Sequence, residues 1–78
     1  MSMKLYYYKS CPFCQKVLSF LEKRENTVEL VDVKTNNLEK EALIKLNDGV
    51  FQVPCLLIDG KPMLESDSII EFLNEKLK

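Results

Sequence analysis

The chain lacks histidine and tryptophan, has only two glycines among its 78 residues, and contains no long apolar run. Zinc takes about four ligands, and three cysteines without a histidine do not supply the usual tetrahedral site, so no metal is expected. An apolar stretch such as Cys55 to Ile58 is far too short to span a bilayer, and no signal-peptide core follows the first residues. We therefore expect a soluble, cytoplasmic protein with no membrane partner.

The chain also lacks a strong charge of either sign. Its net charge is −1, with 29% charged and 46% hydrophobic residues, which is ordinary for a globular chain and gives no reason to expect nucleic acid as a partner. Three cysteines is an odd count, which does not fit a secreted framework of paired disulfides. We expect one domain over residues 1–78, acting as a monomer.

Apolar periodicity predicts a βαβ unit in the first half of the chain. Leu5 to Tyr8 is typical of a strand, and Val17, Phe20 and Leu21 have the spacing of one helical face. Thr27 to Val33 is β-branched and nearly continuous in apolar character, as strands of parallel sheets are.

The second half predicts a helix, a hairpin and a last helix. The expected features are, in order, a helix with Leu38, Ala42 and Leu46 at four-residue spacing, a helix end at Asn47-Asp48-Gly49, a strand from Cys55 to Ile58, an Asp59-Gly60 turn, an edge strand from Pro62 to Leu64, and a helix capped by Ser66-Asp67-Ser68. Ser68 and Glu71 fit the spacing of a capping box. The fold class is therefore α/β, in the order β-α-β-α-β-β-α with a mixed four-stranded sheet.

Cys11-Pro12-Phe13-Cys14 falls where the first strand gives way to the helix. Proline is favoured at the first helical position, which makes Cys11 the N-cap, where free N–H groups and the helix dipole favour a thiolate. Cys14 lies one turn on, close enough for a disulfide. We expect an exposed, ionised Cys11 to attack and a shielded, neutral Cys14 to resolve, as in a dithiol redox site. Two inert core cysteines are the alternative.

Val53-Pro54 precedes the third strand, where a proline marks a strand start, an edge or a cis bond. Because only about 5–6% of such bonds are cis, the residues alone favour trans. Cys55 follows, either as a small apolar residue of a buried strand or as a thiol that tunes or oxidises with the pair.

Four motifs, in this order and spread over the whole chain, resemble the glutaredoxins. They are Cys11-Pro12-Phe13-Cys14, Val53-Pro54, Asp59-Gly60 and Glu65-Ser66-Asp67-Ser68. The resemblance implies a thioredoxin-like fold with a cis Pro54 near Cys11. It also implies glutathione as the reductant and disulfide-containing or glutathionylated proteins as substrates.

The same resemblance implies which residues hold glutathione. The backbone of Val53 would pair with its cysteinyl part, and Ser66 and Asp67 would hold its γ-glutamyl end, unless they only cap their own helix. Lys9 would pair with the glycyl carboxylate, although it stands two residues before the motif, where three is commoner. Phe13 is expected to be exposed and to touch substrate.

Met63-Leu64-Glu65-Ser66 departs from the glutaredoxin pattern and is similar to the N-terminal domain of glutathione transferases. That similarity implies that Glu65 and Ser66 bind the γ-glutamyl group. A full-length transferase also needs a helical C-terminal domain, which we do not expect in a chain that ends at Lys78.

The leading interpretation is a small glutathione-dependent thiol-disulfide oxidoreductase. One alternative is an iron–sulfur carrier in which two chains share a cluster through Cys11 and two glutathiones, against which Pro12 argues. Another is a glutaredoxin-like electron donor reduced by thioredoxin reductase, against which the candidate contacts at Glu65, Ser66 and Asp67 argue.

Overall fold

A computed structural model describes residues 2–77 of the chain. Within this range the elements are, in order, β1 (Met3–Tyr7), α1 (Pro12–Glu22), β2 (Glu29–Asp32), α2 (Asn37–Leu46), β3 (Cys55–Ile58), β4 (Lys61–Met63) and α3 (Ser66–Lys76). The predicted order β-α-β-α-β-β-α is therefore confirmed. No helix in residues 2–77 is long and apolar enough to cross a membrane.

The strands form a four-stranded sheet in the order β2-β1-β3-β4. β1 runs parallel to β2, with Leu5 opposite Leu30, and antiparallel to β3, with Tyr6 opposite Cys55. β4 pairs only with β3, so its Pro62, which has no N–H to donate, lies on an edge strand. The mixed sheet predicted from the sequence is confirmed.

Side chains alternate between the two faces of this sheet, and each face has its own core. The face toward α1 and α3 buries Leu5, Val17, Leu21, Val28, Leu56, Ile69 and Leu73. The opposite face buries Tyr6, Val31, Val33, Leu43 and Cys55. Tyr7 packs against the first group and Tyr8 against the second, as the alternation of a strand requires. The Cys11-Pro12-Phe13-Cys14 motif follows the end of β1, at the start of α1.

The buried face of α2 differs from the one the sequence suggests. Leu38 is 80% exposed, whereas Leu43 is fully buried. The two lie five residues apart, about 140° round a helix of 3.6 residues per turn. The four-residue spacing correctly predicts a helix, but the face of the helix that packs against the sheet is centred on Leu43 and not on Leu38.

Two predicted turns are confirmed by their backbone geometry. Gly49, with φ of 91°, follows α2, and its N–H donates to the Ile44 carbonyl over 2.8 Å. Asp59 and Gly60 have φ of 48° and 87°, the positive values that a tight hairpin needs at both central positions.

Several element boundaries differ from the sequence prediction. β1 is Met3–Tyr7 rather than Leu5 to Tyr8, and β4 is Lys61–Met63 rather than Pro62 to Leu64. β2 begins at Glu29 rather than Thr27, because the Asn26 side chain accepts a hydrogen bond from the Val28 N–H over 3.1 Å and holds the chain in a turn. α3 begins at Ser66 with Glu65 as its N-cap, so the capping box at Ser68 is wrong.

Candidate active site

The start of α1 carries the two cysteines of the motif. Cys11 is the N-cap in an extended conformation, with φ of −84° and ψ of 118°, and Pro12 opens the helix. The Cys11 Sγ accepts a hydrogen bond from the Cys14 N–H over 3.4 Å, and the Cys11 N–H donates to the Tyr8 carbonyl over 3.2 Å. The strand-to-helix corner thus brings a sulfur to the free N–H groups of a helix start.

Cys11 is less exposed than the sequence suggests. Only 6% of its surface is accessible, so the expectation of an exposed sulfur is wrong. The reason is the cap itself, because accepting from the Cys14 N–H turns the sulfur over the first helical turn instead of out into solvent. The Cys11 sulfur is therefore reached by a narrow approach.

Cys14 is fully buried. The pKa of its thiol is raised from 9.0 to about 12, chiefly by burial; the side-chain hydrogen bond with Cys11 and the charge of Cys11 also raise this pKa, while a backbone hydrogen bond with Tyr8 opposes them. At neutral pH the Cys14 thiol is therefore protonated, as expected for the inner position of the motif.

A cavity of about 210 Å³ lies between the motif, the start of β3 and the start of α3. Its lining residues are Phe13, Gln52, Val53, Pro54, Glu65, Ser66 and Asp67. The structure therefore brings together every predicted glutathione-binding residue except Lys9. These residues are far apart in the sequence, and no local pattern reveals that they meet. Gln52 was not predicted, because nothing in the sequence distinguishes it from other polar loop residues.

The Val53-Pro54 peptide bond is cis. The expectation from the residues alone, a trans strand start, is wrong, and the expectation from the glutaredoxin resemblance is right. Pro54 is buried in front of Cys55, which is fully buried itself and whose thiol pKa is raised by that burial. Cys55 thus lies in the core as a neutral thiol.

Lys9 lies apart from the other candidates. It lines a different cavity with Tyr7 and Leu30, on the β2 side of the sheet, and its carbonyl accepts a hydrogen bond from the Gln15 side chain. The structure does not place it with Val53 at the first cavity.

The start of α3 combines backbone strain with an open helix end. Glu65 has a φ of 77°, which is unfavourable for a residue with a side chain, and it forms no side-chain cap hydrogen bond. Ser66 is buried, while Asp67 is exposed and lies 3.4 Å from the Lys16 amine. The first N–H groups of α3 therefore receive no cap from the Glu65 side chain.

An aromatic pair with two lysines lies beside the motif on the α2 side, and the sequence gives no signal for it. The Tyr8 and Phe51 rings stack with centroids 6.4 Å apart. The Lys34 amine lies 4.7 Å from the Tyr8 ring and 3.3 Å from the Ser10 hydroxyl, and the Lys40 amine lies 5.1 Å from the Phe51 ring. These residues come from four separate segments, so only the fold joins them.

Known proteins resemble the chain in both sequence and structure. The chain is 36% identical over 70 residues to prostaglandin E synthase 2 of Danio rerio, covering 90% of this chain and 18% of that protein. It is 31% identical over 72 residues to glutaredoxin 1 of Rickettsia prowazekii, covering 91% and 76%. The structure superposes on the thioredoxin-like protein BC3987 with a TM-score of 0.78 and 28% identity, covering 97% and 100%.

The fold and these relatives define the chain as a glutaredoxin-like protein with the thioredoxin-like fold. It belongs to the family described as glutathione S-transferase, N-terminal domain, which it matches over residues 5–77. It spans only 18% of the synthase and 55% of a further matching relative, glutaredoxin 1 of Rickettsia typhi.

Proposed function

We propose that this protein is a glutathione-dependent thiol-disulfide oxidoreductase that reduces glutathione mixed disulfides and protein disulfides. The observation that carries the proposal is the arrangement of the dithiol, with the Cys11 sulfur on the N-terminus of α1 and the neutral Cys14 thiol buried behind it. Relatives named glutaredoxin 1, which are 38% and 31% identical to this chain over the matched residues, support it.

The first step is attack of the Cys11 thiolate on a substrate disulfide. A new S–S bond forms between Cys11 and one substrate sulfur while the substrate S–S bond breaks, and the other sulfur leaves as a thiolate that takes up a proton. The N–H of Cys14, which already donates to the Cys11 Sγ over 3.4 Å, stabilises the attacking thiolate. Cys11 is therefore the cysteine that attacks first, because the Cys14 thiol is buried and protonated.

The second step depends on what Cys11 carries. When it carries glutathione, the thiolate of a second glutathione attacks, the Cys11 thiolate leaves, and oxidised glutathione is the product. When it carries a protein sulfur, the Cys14 thiol loses its proton and attacks Cys11, and the reduced substrate leaves. Two glutathiones then reduce the Cys11–Cys14 disulfide. For a protein disulfide the net exchange is one disulfide reduced for two glutathiones oxidised. For a glutathione mixed disulfide, one half of the oxidised glutathione comes from the substrate and the other from the attacking glutathione.

Glutathione itself occupies the cavity beside Phe13 in this proposal. The backbone at Val53 pairs with its cysteinyl part, and the first N–H groups of α3 at Ser66 and Asp67 bind its γ-glutamyl carboxylate, a position that suits an anion. Six of the seven lining residues were expected to contact glutathione from the sequence. Phe13, which is 59% exposed, covers the cavity from the side of the motif.

A trapping experiment tests the first step. Cys14→Ser protein is incubated with oxidised glutathione, and intact and peptide mass spectrometry locate the adduct. We expect one glutathione, attached to Cys11, and no adduct on the buried Cys55. Cys11→Ser protein is the matched control and should remain unmodified. An adduct mainly on Cys55, or equal labelling of Cys11→Ser protein, would overturn the proposed mechanism.

A further inference from the structure

A groove of about 590 Å³ runs between α1 and α3, separate from the glutathione cavity. It is lined by Pro12, Gln15, Lys16, Ser19, Phe20, Lys23, Arg24 and Ile70. Its upper end is at Pro12, the residue after Cys11, and its lower end is at Arg24, just beyond α1. The groove therefore begins at the residue next to Cys11 in the chain and follows α1 away from the motif.

The lining of this groove is positively charged. It contains Lys16, Lys23 and Arg24 but no aspartate or glutamate, although the whole chain has a net charge of −1. Three cations along one side of a concave surface attract anions and raise their local concentration. The charge of the groove is thus opposite in sign to that of the molecule.

The cation at the lower end is already held in place. The Arg24 guanidinium carbon lies 3.7 Å from the centroid of the Phe20 ring, and its Nη1 donates to the Phe20 carbonyl over 3.1 Å. Lys16 pairs only with Asp67, at 3.4 Å, where both side chains are exposed, and such pairs are weak. A partner's carboxylates would therefore meet cations that are ordered but not neutralised.

We propose that this groove binds an acidic segment of the protein substrate, next to the cysteine that reacts with Cys11. This inference rests on the proposed function and names the class of protein substrate that the site prefers. The 12 steps from Pro12 to Arg24 correspond to about 18 Å of helix, which an extended segment of five or six residues spans. The preferred substrates carry two or more carboxylates within that reach of the reactive cysteine.

Synthetic peptides test the preference directly. Three peptides share one glutathionylated cysteine and a neutral core and differ only in a tail of four glutamates, four glutamines or four lysines within six residues of the cysteine. We expect kcat/KM for the glutamate peptide to exceed that for the glutamine peptide by about tenfold at low salt, with the lysine peptide lowest. The difference should shrink as salt rises, because surface charges are screened.

Variants of the groove tie the preference to these residues. Ser19→Glu keeps all three cations and adds a carboxylate among them, and Lys23→Glu reverses one of them; both should abolish the advantage of the glutamate peptide. Lys61→Glu, an exposed lysine on β4, makes the same charge change as Lys23→Glu outside the groove and should keep the advantage. A small mixed disulfide between glutathione and an uncharged thiol should be reduced equally by all of them.

The outcomes separate the two proposals. If the small mixed disulfide is reduced but the three peptides react alike, or if Ser19→Glu keeps the glutamate preference, the groove inference is wrong and the proposed function stands. If a concentration-dependent dimer forms and Ser19→Glu abolishes it, the groove binds a second copy and the inference is also wrong. If no substrate is reduced by the unchanged protein, both proposals are overturned.

Discussion

The backbone N–H of Cys14 donates a hydrogen bond to the Sγ of Cys11 over 3.4 Å. This contact joins the two cysteines before any disulfide forms. Burial is the main cause that raises the Cys14 pKa, and a separate side-chain hydrogen bond with Cys11 and the charge of Cys11 also raise it, so a negative Cys11 helps to keep the Cys14 thiol protonated. Once Cys11 is in a mixed disulfide, both contributions of Cys11 are removed and Cys14 is easier to ionise. In the proposed mechanism this geometry sets the order in which the sulfurs react.

Removing each sulfur separately should give two different losses. Cys11→Ser is expected to abolish all reduction, whereas Cys14→Ser should still reduce glutathione mixed disulfides and lose the reduction of protein disulfides. The reason is that a second glutathione can resolve the first kind of intermediate without Cys14. Turnover of a glutathionylated peptide and of a protein with one internal disulfide distinguishes the two. An active Cys11→Ser protein would contradict the mechanism.

The resolving step should accelerate with pH through the neutral range. The Cys14 pKa is raised from 9.0 to about 12, chiefly by burial; in the mixed disulfide it falls but stays above its ordinary value because burial remains. Below that pKa each pH unit multiplies the thiolate fraction by about ten. Stopped-flow release of a thiol from Cys11 should therefore rise about tenfold per unit from pH 6 to pH 8. A plateau below pH 8 would show that Cys14 is not the buried, protonated group described.

Replacing the strained residue at the start of α3 should stabilise the fold but weaken substrate binding. Glu65→Gly should raise the free energy of unfolding by about 1 kcal/mol, because glycine tolerates a φ of 77°, and should raise KM for a glutathione mixed disulfide. Asp48→Gly is the matched control, since Asp48 also has a positive φ, 55°, but lies outside the cavity. It should leave KM unchanged. Equal KM values in the two variants would contradict a role of Glu65 in binding glutathione.

Two leucines of α2 predict opposite sensitivity to the same substitution. Leu43→Ala should lower the free energy of unfolding by about 2–5 kcal/mol, because it empties a fully buried site. Leu38→Ala should change it by less than about 0.5 kcal/mol, since that side chain is 80% exposed. Urea denaturation of both variants measures the difference. A large loss from Leu38→Ala would mean that α2 presents a different face to the sheet.

Most of the element order could be predicted from the sequence because strands, helices and turns leave local patterns. Asp59-Gly60 predicts its hairpin from two residues alone, and Cys55–Ile58 is a strand with the predicted bounds. The buried stripe of α2 could not be predicted, since Leu38 and Leu43 are equally apolar and only the sheet decides between them. Local chemistry fixes elements, and long-range packing fixes their orientation.

The candidate site divides in the same way. Cys11 and Cys14 could be assigned from their spacing and from Pro12, because capping and helix geometry are local. The accessibility of Cys11 could not be predicted, since it depends on the direction in which the sulfur points at the N-cap. Lys9 lines a different cavity from Val53, and its distance from the motif along the chain says nothing about the side of the sheet on which it lies. The lysines beside Tyr8 and Phe51 leave no signal in the sequence at all.

The most direct measurement is reduction of a glutathione mixed disulfide by the purified protein in two parallel assays. In one, glutathione and glutathione reductase regenerate the protein; in the other, thioredoxin reductase does. We expect turnover in the first assay and none in the second. Turnover only with thioredoxin reductase would contradict the role of glutathione, and silence in both would contradict the oxidoreductase function itself.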